Sequence, residues 1–130
     1  MIKTIIFDLN RVLVVPEKID EDYQKAFGIS QEEFWKPRKE FFKDHVVGKI
    51  NLDQFLLKIM ERNDMGKNKL FEAKKLFEKN ISLVLGIKYL LISLQKDYPL
   101  ILAAGDDKES LNIKLDKFGL KHYFKEIYAT

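Results

Sequence analysis

The chain has no cysteine. A disulfide framework and a zinc–thiolate site are therefore excluded, and a reducing, cytoplasmic setting is expected. Long apolar runs are missing too, since no stretch reaches the roughly 18 apolar residues that a membrane span needs. The apolar N-terminus is interrupted by Asp8 and Arg11 and no small-residue cleavage site follows, so it does not read as a signal peptide. Arginine is scarce: Arg11, Arg38 and Arg62 are the only ones among 23 basic residues. Nucleic-acid readers favour arginine forks or basic blocks. Here charges of both signs are interleaved and the formal net charge is only +3, the pattern of a solvated surface. Neither a nucleic acid nor a membrane is expected as a partner.

What is present suits one globular domain. The 130 residues are 46% hydrophobic, enough for a modest core, because a domain of this size buries about two-thirds of its unfolded surface. Thr4-Ile5-Ile6-Phe7 predicts a buried strand over 3–8, followed by a hairpin-like loop up to Pro16. The pattern then turns helical as far as about Leu94. Ile19, Tyr23 and Phe27 are spaced by four and Gly28 closes that helix. Ser30 with Glu33 forms a candidate capping box, Pro37 lies near the start of the next segment or kinks it, and Asn51 is a further N-cap. Helices are expected over 69–79, 86–95 and 109–118, the last ended by Gly119. Strands are expected over 99–104 and 126–129. The order is strand, helical insert, helix, strand, helix, strand. That predicts an open α/β parallel sheet of about three strands with right-handed crossovers, interrupted after its first strand by a helical module.

Ligands of such sheets bind beyond the carboxyl ends of the strands. Asp8 ends the first strand, and Gly105 and Asp106 follow the second, so all three are placed at one edge. An aspartate at a strand end is also a common turn or cap residue. Asp106 can be read in two ways: as a carboxylate sharing a cation with Asp8, or, with Asp107, as a turn and N-cap. His45 and His122 have no second ligand at metal spacing and read as structural or solvated. Trp35 and the phenylalanines of the insert read as helix-packing core, with one or two facing the cleft.

The run Phe7-Asp8-Leu9-Asn10-Arg11-Val12-Leu13-Val14-Val15-Pro16-Glu17 resembles the nucleophile motif of the haloacid dehalogenase (HAD)-like hydrolases, Phe-Asp-x-Asp-Gly-(Thr/Val)-Leu-x-Asp-Ser-Glu. Gly119-Leu120-Lys121-His122-Tyr123-Phe124 is similar to that family's frequent Gly-Leu-x-x-Tyr-Phe phrase. The resemblance implies a partial HAD-like Rossmannoid core over 1–15 and 86–130, with residues 16–85 as an inserted helical cap. It implies Asp8 as a nucleophile that forms an aspartyl intermediate. It also implies Mg2+ held by the Asp8 carboxylate and the Asn10 main-chain carbonyl, with Asp106 as a further candidate ligand. Arg11, Ala104 and Gly105 fall where the substrate's phosphoryl group would lie.

The departures from that pattern are as informative. Asn10 stands where the phosphatases place an acid/base aspartate, Arg11 replaces a loop glycine, and Ala104 lacks the hydroxyl of the second motif. The lysine and acidic pair of the later motifs are expected beyond the third strand and so to be absent from a chain ending at Thr130. The resemblance therefore implies a Mg2+-dependent phosphatase of a small phosphorylated metabolite, impaired or inactive as this chain alone. The alternative is a truncated or degenerate non-catalytic module. In that case self-association or a complementing chain is expected at the exposed first strand. A phosphoacceptor receiver domain fits poorly, because about 80 residues separate the first two strands of the sheet.

Overall fold

Strand β1 (Ile5–Phe7) lies at one edge of a three-stranded parallel sheet. The computed structural model describes residues 1–15 and 20–129. Pro16, Glu17, Ile19 and Thr130, which figure in the motif, helix and strand expectations above, therefore lie outside the described residues. Two further strands, β4 (Leu100–Ala104) and β5 (Glu126–Ala129), complete the sheet in the order β1-β4-β5. Ile5 pairs with Leu100 and Phe7 with Leu102, and Leu102 pairs in turn with Ile127. The apolar run Leu100-Ile101-Leu102-Ala103-Ala104 suits the central position, where side chains leave on both faces.

Between β1 and β4 the chain builds most of its helices. Strand β2 (Val14–Val15) pairs antiparallel with β3 (Ser82–Leu83), joining the entry to the helical module and the exit from it. The sequence does not announce this ribbon, because two-residue strands carry no period. The module holds α1 (Asp22–Phe27), α2 (Gln31–Trp35), α3 (Arg38–Val46), α4 (Leu52–Arg62) and α5 (Leu70–Lys79). Pro37 separates α2 from α3, so the aromatic segment is two short helices rather than one. Asn51 caps α4 through a complete capping box with Gln54, each side chain 2.9 Å from the other residue's backbone N–H. Ser30 Oγ accepts the Glu33 N–H at 3.1 Å, which is the cap half of the expected box.

Helices α6 (Ile87–Gln95) and α7 (Lys108–Phe118) cover the sheet. Ile87, Leu91, Leu111 and Leu115 pack with Leu100, Leu102 and Ala104 in one apolar cluster. A second cluster joins Tyr23, Phe34, Leu52, Phe55, Leu56, Ile59 and Met60 inside the helical module. Each such side chain, fully buried, contributes about 1.5–3 kcal/mol. Phe77 and Ile113 pack against both clusters and so tie the module to the sheet layer.

Candidate functional site

The parallel strands bring the residues after β1 and β4 to the same edge of the sheet, and the helical module faces them there. Between the two lies a cavity of about 730 Å3. Asn10, Arg11, Gly105, Asp106 and Lys114 line it from the sheet side. Tyr23, Trp35, Arg38, Phe42, His45 and Phe55 are among the residues that line it from the helices.

At its floor stands a buried charge pair. The Lys114 ammonium donates to Asp106 Oδ2 at 2.7 Å and to Asn10 Oδ1 at 2.8 Å. The Asn10 amide N–H reaches the same Asp106 oxygen at 3.4 Å. Lys114 and Asp106 are only 5% and 3% exposed. A buried ion keeps its charge only when paired and hydrogen-bonded, and removing one partner of such a pair costs about 3–5 kcal/mol. Lys114 also lies over the Phe77 ring, 5.6 Å from its centroid.

Beside it a second buried group links helix to helix. His45 Nε2 on α3 lies 2.6 Å from Asp107 Oδ1 at the start of α7, and the Ser110 hydroxyl donates to the same oxygen at 2.5 Å. The His45 ring stacks on Phe55 with 4.3 Å between centroids. Asp107 is the N-cap of α7, its other oxygen accepting the N–H groups of Glu109 and Ser110. Burial alone would raise the Asp107 carboxyl, but the bonds from His45 and Ser110 outweigh it and hold the group at about 2. Across the cavity, burial pushes the Tyr23 hydroxyl up to about 12, against a smaller opposing pull from the Trp35 indole N–H donated to it at 3.0 Å.

The residues singled out in the sequence divide at this point. Asn10, Arg11, Gly105 and Asp106 line the cavity. Asp8 is exposed, accepts the N–H of its own neighbour Leu9 at 2.7 Å, and is not among the lining residues. Ala104 is buried in the sheet core, also outside the lining. Arg11, in the place of a loop glycine, has a left-handed backbone with φ of 66°. His122 is exposed. Lys114 is the residue that sequence reasoning missed. Its signal was faint: it follows Ser110 and Leu111 and precedes Leu115 on the buried stripe of α7, a place where a lysine needs a partner.

Magnesium fits the group formed by His45, Asp106 and Asp107 poorly. Among the described residues, the group whose ligand atoms converge closely enough for a metal is His45, Asp106 and Asp107, and Asp8 is not part of it. Both carboxylates are already engaged, Asp106 by Lys114 and Asp107 by His45 and Ser110. A divalent ion about 4 Å from an ammonium is repelled by about 8 kcal/mol at an effective dielectric of about 20. A metal here would have to displace Lys114 first.

No protein-family model and no curated protein matches the sequence. Solved structures do match. L-2-haloacid dehalogenase from Xanthobacter autotrophicus superposes with a TM-score of 0.72 at 13% identity, over 99% of this chain and 57% of that one. The HAD-hydrolase YfnB from Bacillus subtilis, bound to magnesium, gives 0.60 at 17%, over 98% and 64%. The HAD family enzyme bt-2542 from Bacteroides thetaiotaomicron, in complex with magnesium and inorganic phosphate, gives 0.66 at 17%, over 98% and 68%. The fold is therefore that of the HAD-like hydrolases, with a three-stranded parallel sheet and inserted helices. The chain spans 57–68% of the length of these three proteins.

Proposed function

We propose that the chain binds a small phosphorylated metabolite in the cavity between its sheet edge and its helical module, and that Asp8 gives it weak phosphatase activity. The observation that carries this reading is the cavity itself, at the carboxyl edge of a HAD-like sheet, lined by Asn10, Arg11 and Lys114 on one side and by aromatic residues on the other. In this reading Asp8 releases the Leu9 amide and turns toward the cavity. One Asp8 oxygen then bonds to phosphorus as the bond to the leaving oxygen breaks, and water afterwards cleaves the aspartyl phosphate and restores the carboxylate. Asn10 cannot hand a proton to the leaving oxygen. General acid–base help is typically worth about 10²–10⁴ in rate, so turnover is slow and favours leaving groups that depart without a proton. Lys114 already occupies Asp106, one candidate ligand of the magnesium that the family resemblance implies, and no step in this account is routed through the metal. The test is turnover of an aryl phosphate against an alkyl phosphate by the purified chain. Slow aryl turnover abolished by Asp8→Asn is expected. Equal turnover by Asp8→Asn would overturn the nucleophile.

A second reading has its own observation. The sheet ends at β1 among the described residues, and Ile6 is 67% exposed there. We infer an interaction module that pairs along β1 with another copy or with a complementing chain. A monodisperse monomer in solution removes the pairing with another copy.

A further inference from the structure

We propose that Lys114 is the resident cation of the cavity and that it receives a small oxyanionic group there without a divalent metal. The inference rests on the reading of the cavity as a ligand site. It departs from that reading in assigning the positive charge to a helix residue that the family resemblance does not mark.

Three observations carry it. First, the Lys114 ammonium reaches the cavity floor from α7 while remaining almost wholly buried, so its charge is weakly screened by water. An ammonium has three N–H donors, and two are spent on Asp106 and Asn10. Second, the charge balance of the lining is positive: Arg11, Arg38 and Lys114 stand against Glu32 and Asp106. Third, Asp106, the cavity-lining carboxylate of the group that could hold a metal, is already neutralised by Lys114 at 2.7 Å.

The arrangement has a chemical consequence. Asn10 and Asp106 hold Lys114 in place, and Asp106 also lowers its pull on an incoming anion. An oxyanion entering the cavity competes with Asp106 for the ammonium. Removing the Asp106 charge frees Lys114 and strengthens anion binding. A metal-ligand role for Asp106 requires the opposite, because its removal would then weaken binding.

The experiment is titration calorimetry of the full chain with inorganic phosphate, in EDTA and in excess Mg2+, for the wild type, Lys114→Met and Asp106→Asn, with exposed Lys96→Met as a control. Wild-type affinity is expected to agree within about twofold between the two buffers. A charge-assisted hydrogen bond is worth enough that Lys114→Met loses about tenfold or more. Asp106→Asn gains about threefold or more in both buffers, and Lys96→Met is unchanged. If either variant fails to fold, the other and the comparison of the two buffers still decide. Mg2+-dependent wild-type binding lost in Asp106→Asn overturns the inference and leaves the cavity reading standing. So does a folded Lys114→Met that binds like the wild type. A wild type that binds phosphate in neither buffer overturns the cavity reading, and the inference with it.

Discussion

Arg11 holds a backbone conformation that usually belongs to glycine. Its φ of 66° puts the side chain's Cβ close to the following carbonyl, at a cost of about 1–2 kcal/mol. The loop imposes this geometry: Arg11 N–H donates to Val14 O at 2.7 Å and Leu13 N–H to Leu9 O at 2.8 Å, closing a tight turn that Leu9 and Leu13 anchor in the core. The strained residue is also a cationic lining residue of the cavity, so strain and charge fall at one position. Arg11→Gly relieves the strain and adds freedom to the unfolded chain, which takes back part of the gain. The expected net effect is a stabilisation of about 0.5–1 kcal/mol, read from the midpoint of urea unfolding, together with weaker phosphate binding. A loss of stability would show that the arginine side chain's own contacts outweigh its backbone.

At the scale of the elements, α3 and α7 are joined by the bond between His45 and Asp107. The Asp107 carboxyl lies at about 2, below the ordinary value of 3.8. A depressed carboxyl stabilises the fold above its unfolded value, and that contribution disappears as the pH falls through the folded one. The gap corresponds to about 2 kcal/mol, present at neutral pH and lost between about pH 4 and pH 2. Asp107→Asn tests it, since asparagine caps a helix as well as aspartate does, while it removes the charge and turns the oxygen that faces His45 and Ser110 into an amide donor. The variant is expected to be about 2 kcal/mol less stable at pH 7 and equal to the wild type near pH 2, as measured by urea unfolding at both values. A constant difference across that range would place the loss in packing rather than in charge. Much of this element was legible beforehand. Asp107 as N-cap, Gly119 as terminator and the helix between them follow from local chemistry, as does the Asn51 cap of α4. The partners were not legible. His45 and Asp107 are 62 positions apart, and Lys114 and Asn10 are 104 apart, and no local period encodes such meetings. The β2–β3 ribbon was lost for a different reason, being too short to show alternation.

At the scale of the whole molecule, the sheet is covered on one face among the described residues, and β1 and β5 are both edge strands. Leu100, Leu102 and Ala104 are buried under the helices, whereas Ala103 and Ile6, on the opposite face, are exposed. Parallel sheets are ordinarily covered on both faces, and an apolar edge strand left unpaired templates association. The chain spans 64% and 57% of the length of two of the solved structures it matches. A second exposed apolar surface lies on α6, where Tyr89 is 82% and Leu90 46% exposed. The two surfaces make separable predictions. If β1 is the contact, the wild type associates with rising concentration in sedimentation velocity. Ile6→Lys, which places a charge on the open strand, then returns it to monomer, and Tyr89→Lys leaves the association intact. Association that survives Ile6→Lys and disappears with Tyr89→Lys moves the interface to the helix. A wild type that stays monomeric at every concentration leaves the open strand without a self-pairing role.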